Sequence, residues 1–306
     1  MNIRFGVSIE APVEWDELLA VAREIDRNTD YDVLWISDAL YTNSPGDPYR
    51  PRLDAWTALA AIAQATSRVR LGVLVSANPL REPAVLAKIA TTVDHISGGR
   101  LEFGIGAGWP GENRRFGIHF AKRRERYERL AEALTVIKLL WTQEQPQFEG
   151  SYFRLDAPDF RPSTVQRPHP PITVGLAGST HAALVDVVAK HADKAEASLE
   201  AFPLIDARCR ELGRAPSGVA RTTETMFFLH DDPAVLRRAM DYAISQYGGT
   251  EDDVRRRAIW GTAEEAKALI QARIDSGYSE IYLFQLPRLH LKSLIRFSDE
   301  IIPSFR

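Results

Sequence analysis

The chain has 306 residues, 45% of them hydrophobic and 26% charged, which describes a folded globular protein and excludes a disordered one. Its formal net charge of −3, from 38 basic and 41 acidic residues, builds no field that would gather nucleic acid or anionic lipid. One cysteine, Cys209, excludes an internal disulfide or a thiolate metal cluster, and no apolar run approaches the length of a membrane span.

The elements alternate from the start. "IRFGVSI" (3–9) reads as a strand, and "WDELLAVAREIDRN" (15–28) as a helix with apolar residues at Leu18, Leu19, Ala22 and Ile25. The buried strand "DVLWIS" follows, and Asp38 stands where the chain leaves it. "DAWTALAAIAQAT" (54–66) is a helix with Asp54 as its N-cap, "RLGVLVS" (70–76) a strand, and "PAVLAKIATTVDHIS" (83–97) a helix with proline in its first turn. "LEFGIGAG" (101–108) is a fourth strand and "RERYERLAEALTVIKLLW" a long fourth helix. The stretch 145–171 is rich in proline and aromatics, and reads as a hairpin or extended excursion. The rhythm then resumes with "ITVGLA", "KAEASL", "ARTTETMFFLH" and "SEIYLFQL" as strands between helical segments.

About eight strand–helix units predict one (β/α)8 barrel spanning 1–306, with an extended insertion after the fourth helix; an open doubly wound sheet is the alternative. Barrel sites lie at the C-terminal ends of the strands. This places Asp38 at the active face, unless it merely caps the next segment. Glycines 104, 106 and 108 alternate along the fourth strand, which signals either close backbone approach or tight barrel packing. They lack the spacing of a dinucleotide fingerprint. In "VGLAGSTHAAL" (174–184) a strand runs through a small-residue loop into a helix that Ser179 or Thr180 can cap. Such a helix start suits a phosphate or is an ordinary capped turn. The seven histidines show no metal-ligand spacing, so no metal is expected, and "RRERYER" (123–129) reads as the solvated start of a helix.

Several segments together resemble the luciferase-like oxidoreductases, most closely their coenzyme F420-dependent branch. They are "LWISD", the long run from "RVRLGVLVS" through "GGRLEFGIGAGW", then "FEGSYFRL", "RPHPPITVGLAGS" and "IWGTAEEAKALIQARIDSGYSEIYLF". The resemblance runs from about residue 3 to residue 302. It implies an eight-fold barrel, coenzyme F420 as cofactor with FMN as the alternative, and a small-molecule substrate. It also implies a cis peptide bulge at Leu74–Val75 against the cofactor ring, continued by Ser76. Gly106, Ala107 and Gly108 would line the ring, with Glu112 just beyond. Gly175, Leu176, Ala177, Gly178, Ser179 and Thr180 would hold the phosphate tail. The branch's second strand ends in Asp–His, whereas this chain has Asp38–Ala39, so the usual proton donor is missing; Glu112 likewise stands one place before the family's glutamate, where Asn113 is found. Asp38 is then expected to orient the ring rather than donate a proton. Glu10, Tyr41, Trp56, Asn78 and Phe202 are the expected substrate-pocket residues. The implied function is hydride transfer from reduced F420 to a small acceptor. The rival readings are an FMN-dependent monooxygenase using O2 and a non-catalytic flavin-binding protein. A cytoplasmic homodimer packed through the small-residue helices at 54–66 and 83–97 completes the expectation.

Overall fold

The computed structural model describes residues 3–9, 14–44, 47–109, 116–157, 159–284 and 291–306; the side chains of 41–51, 246 and 247 are outside that description. Eight parallel strands close into a ring. These are β1 (Arg4–Ile9), β2 (Val33–Ile36), β5 (Arg70–Ala77), β6 (Leu101–Gly106), β9 (Ile172–Gly175), β10 (Lys194–Glu196), β11 (Ala220–Leu229) and β13 (Glu280–Phe284), paired in that order, with β13 returning to β1. The barrel expected from the alternating elements is therefore the fold, and the open sheet is excluded by ring closure.

Helices cover the ring because each carries one apolar stripe. In α1 (Trp15–Asn28) the stripe is Leu18, Val21, Ala22 and Ile25, with Leu19 only half-buried. α2 (Ala55–Ala65) starts on Asp54, whose carboxylate accepts the Thr57 N–H as anticipated. α3 (Pro83–Ile96) and α4 (Arg123–Thr142) follow β5 and β6, and α5 (Ala182–His191) and α6 (Phe202–Glu211) follow β9 and β10. The insertion after α4 carries the short hairpin β7 (Gln147–Glu149) and β8 (Arg154–Asp156).

Two strand features were not read from the sequence. The segment after Asp38 forms an antiparallel hairpin, β3 (Tyr41–Ser44) with β4 (Asp47–Pro51). After α7 (Pro233–Tyr247) and α8 (Glu251–Arg257), a short strand β12 (Ala258–Gly261) pairs with the last residues of β11 outside the ring, before α9 (Ala263–Asp275) leads to β13. α10 (Leu291–Glu300) packs at the end of the chain. β11 is ten residues long. Its first half closes the barrel against β10 and β13, and its second half holds β12.

The N-terminal end of the barrel is closed by charge. Glu102, 1% exposed, meets Arg70 Nε at 2.6 Å, Lys194 Nζ at 2.9 Å and Arg4 at 3.3 Å; Lys194 also reaches Glu280. Burial would raise the Glu102 carboxyl, but these three cations together hold it below the usual carboxylate range. With that end filled, the opening lies at the other.

Candidate active site

A cavity of about 760 Å³ opens at the C-terminal ends of the strands. Among the expected site residues it brings together Asp38, Leu74, Val75, Gly106, Ala107, Gly108, Gly175, Leu176, Ala177, Gly178 and Ser179. Others lie elsewhere. Ser76 is fully buried and faces the helix layer, where its hydroxyl accepts the Trp56 indole N–H at 2.9 Å. Trp56 is consequently a core residue beside Phe103, not a pocket residue. Phe202 starts α6 with its ring against Tyr278, away from the cavity. Asn78 is buried in a neighbouring hollow that also contains Arg126. Thr180 is exposed just past the rim. Glu10 and Glu112, with Asn113, lie outside the described residues, as does the Tyr41 side chain.

The wall of the cavity is made by β5. Its Leu74–Val75 peptide is cis, as the resemblance implied, and the register against β6 shifts between Val73 and Ser76. Leu74 packs with Val33, Trp35 and Tyr282 inside the barrel, and Val75 joins the same cluster. Two consecutive side chains thus face the interior, which regular alternation forbids. The strand glycines make room for them. A Cβ on Gly106 would stand 2.7 Å from Val75 Cγ2, one on Gly175 3.1 Å from Val75 Cγ1, and one on Gly104 2.1 Å from the Val73 carbonyl oxygen. Both readings of the glycine alternation therefore hold: packing is tight because a backbone and a bulged side chain approach.

Asp38 is buried at the end of β2. Its Oδ2 accepts from Arg81 Nη1 at 2.7 Å and from the Ala77 N–H at 3.2 Å, and the same guanidinium also pairs with Asp54, the cap of α2. Burial raises the Asp38 carboxyl, and Arg81 pulls against that rise. Sequence reasoning missed Arg81, because nothing in "NPLREP" ties it to a carboxylate forty residues earlier.

Across from Val75, the loop after β9 turns through Ala177 (φ 48°) and Gly178 (φ 73°). The cap of α5 is His181, whose Nδ1 accepts from the Ala183 N–H at 3.2 Å; Ser179 instead accepts from the His181 N–H. A Cβ on Gly178 would meet nothing within 4 Å, so its backbone is open to a ligand. α4 faces this loop. Arg123, Arg126 and Tyr127 line the cavity, with the Tyr127 hydroxyl 3.5 Å from Ser179 Oγ. The Arg126 guanidinium lies over Phe120 and bonds the Gly108 carbonyl at 2.9 Å, while its buried Nε has no hydrogen-bond partner among the described residues. This corrects the reading of 123–129 as wholly solvated. The signal was present: positions 123, 126, 127 and 130 share one helix face, and Leu130 is core. Glu196 and Glu224, at β10 and on β11, complete the lining and were also missed.

This arrangement offers an apolar bulge on one side and a cationic rim with open backbone on the other, a place for a flat group with an anionic tail. Comparison with known proteins agrees in kind. The luciferase-like monooxygenase family model matches residues 1–276. An F420-dependent glucose-6-phosphate dehydrogenase from Kineococcus radiotolerans is 27% identical, over 90% of this chain and 89% of that one. An FMNH(2)-dependent dimethylsulfone monooxygenase from Pseudomonas putida is 35% identical, over 40% of this chain and 33% of that one. The solved structure of an F420-dependent secondary alcohol dehydrogenase, in complex with an F420–acetone adduct, superposes with a TM-score of 0.83 over the whole of both chains at 19% identity.

Proposed function

The chain belongs to the luciferase-like monooxygenase family, a family of oxidoreductases, and on that premise we propose that it moves hydride between reduced coenzyme F420 and a small organic acceptor with a C=C or C=N bond. The observation that carries the proposal is the cavity in which the Val75 bulge faces the 175–180 loop and Arg126. Its residues fit the cofactor. Val75 offers an apolar wall to a ring, the open backbone at Gly178 admits an anionic group, and the orphan Nε of Arg126 is a buried donor in want of an acceptor. Bound reduced deazaflavin supplies a hydride. The chain's own residues orient and enclose: Arg126 and the loop hold the tail, Val75 sets the position of the ring, and Asp38, fixed by Arg81, orients rather than donates. Relatives favour F420 over FMN, since the F420-dependent relative matches along 90% of the chain and the FMN-dependent one along 40%.

Titration of the apo-protein with each cofactor tests the reading, with F420 expected to bind at least tenfold more tightly than FMN, or about 1.4 kcal/mol. The opposite order would point to an FMN-dependent oxygenase. Tight binding without turnover on any acceptor would leave a carrier protein. We further propose one barrel domain and a homodimer through α2 and α3, on which Val85 is an exposed apolar residue. Limited proteolysis giving two stable halves would refute the first. Light scattering giving 34.3 kDa rather than twice that would refute the second.

A further inference from the structure

The cavity contains a second carboxyl group whose surroundings are the reverse of those around Asp38. Glu196 ends β10, in register with Gly175, the glycine that receives Val75 from the opposite side. Its side chain lines the cavity three strands around the ring from the bulge. Beyond it the space continues. A second chamber of about 860 Å³ shares Ala177, Gly178, Glu196 and Glu224 with the first, so Glu196 stands at the junction of the two. Where Asp38 has a guanidinium at 2.7 Å, Glu196 meets no cation among the described residues; its Oε1 accepts only the Glu224 backbone N–H, at 3.4 Å.

We propose that Glu196 is the catalytic acid, delivering a proton to a substrate that enters through the second chamber and places its reducible bond at the junction. This rests on reading the first chamber as the reduced-deazaflavin site. One atom of the C=C or C=N bond receives the hydride of the reduced cofactor and the other receives the Glu196 proton. The bond is thereby reduced by two electrons, the cofactor is oxidised, and the carboxylate regains its proton from water. Two surrounding facts support the assignment. Burial raises the Glu196 carboxyl, the Glu224 N–H opposing it, so the proton is retained towards neutrality. Ala39, beside Asp38 at the end of β2, has no side-chain proton to give. The charged and titratable groups that line the chambers with Glu196 are Asp38, Arg123, Arg126, Tyr127 and Glu224 in the first, and Glu200, Glu224, Asp253, Arg256, Arg257, Arg273 and Tyr278 in the second.

The test uses the full chain and its Glu196→Gln variant. With [13C]glutamate labelling, the carboxyl resonance missing from the variant belongs to Glu196. Its midpoint is expected above the ordinary carboxylate range; a midpoint at or below the ordinary 4.3 overturns the proposal. Oxidised F420 should bind both proteins within threefold. Failure of both to bind overturns the cofactor reading and this proposal with it, whereas binding by both with an ordinary titration overturns this proposal alone. In stopped flow, with reduced F420 and 2-cyclohexenone as the reducible probe, Glu196→Gln should consume reduced cofactor at least 100-fold more slowly than wild type. Glu196→Asp, which keeps the acid, should regain part of that loss. Equal rates in wild type and Glu196→Gln overturn the assignment.

Discussion

Gly106→Ala places a single methyl group where β6 passes the bulge of β5. The new Cβ would stand 2.7 Å from Val75 Cγ2, well inside contact distance. Val75 is β-branched and packs in the cluster of Leu74, Val33, Trp35 and Tyr282, which restricts its rotation. The strand or the bulge must therefore move, at about 1–3 kcal/mol for overpacking. An unfolding entropy of about 2.1 cal/mol/K per residue, taken over 306 residues, makes each kcal/mol worth about 1.5 °C in Tm, so a fall of about 2–5 °C is expected. Calorimetry with Val75→Ala and the double variant completes the cycle. Val75→Ala removes the obstructing methyls, so the double variant should be more stable than the sum of the single losses by about 1 kcal/mol or more. A Gly106→Ala protein as stable as wild type, or strictly additive losses, would refute the account of the glycines as space for the bulge.

Gly178→Asp should weaken F420 binding at least tenfold by setting a carboxylate at the anion-facing loop; Gly178→Ala, which shares the strain of φ 73° without the charge, should lose less, and equal losses would move the tail elsewhere. Asp38→Asn leaves Arg81 with Asp54 alone and should cost about 3 kcal/mol in denaturant unfolding, the low end for a broken buried pair because one carboxylate remains. His191, at the end of α5, is depressed from its ordinary 6.5 to about 4, chiefly by burial and then by Lys138. Because the folded protein favours neutral imidazole, the stability it contributes is fully present above 6.5 and is lost as pH falls towards 4. That loss amounts to about 3 kcal/mol at most. Unfolding of His191→Gln should therefore be flatter than wild type over that window, and parallel curves would count against it. Glu102→Gln should destabilise the protein at pH 7, by an amount that shrinks as pH falls through the low folded pKa of Glu102, since the ion-paired carboxylate contributes only while ionised.

The barrel was legible because its evidence is periodic. Every ring strand was anticipated, most from an apolar run between helical stripes and "KAEASL" only as a weak strand. What escaped was short or mixed: β12 is four residues, "AIWG", without a pattern of its own, and the β3–β4 hairpin carries Pro48, Pro51 and Gly46, residues that signal loop. Within the site, the strand-end rule reached Asp38, the resemblance supplied the bulge, and the small-residue helix start pointed to the β9 loop. Applied to β10, the strand-end rule would also have given Glu196, but a three-residue strand offers little by which to mark its end. Arg81 and Arg126 act through partners distant in sequence, Asp38 and Gly108, and such pairings exist only once the ring is closed.

The double pairing of β11 divides the two chambers by how firmly they are built. The bulge and its glycines belong to the ring and share its cooperative unfolding. The outer wall of the second chamber, with Met226, Val254 and Phe284, rests on a small separate cluster made by Met226, Met240, Ala243, Val254, Ala258 and Trp260. A region that packs on its own satellite core opens at lower free energy than the body it adjoins. The second chamber, proposed as the substrate's entry, is therefore expected to open more readily than the first. One strand is thus shared between a rigid ring and a yielding annex.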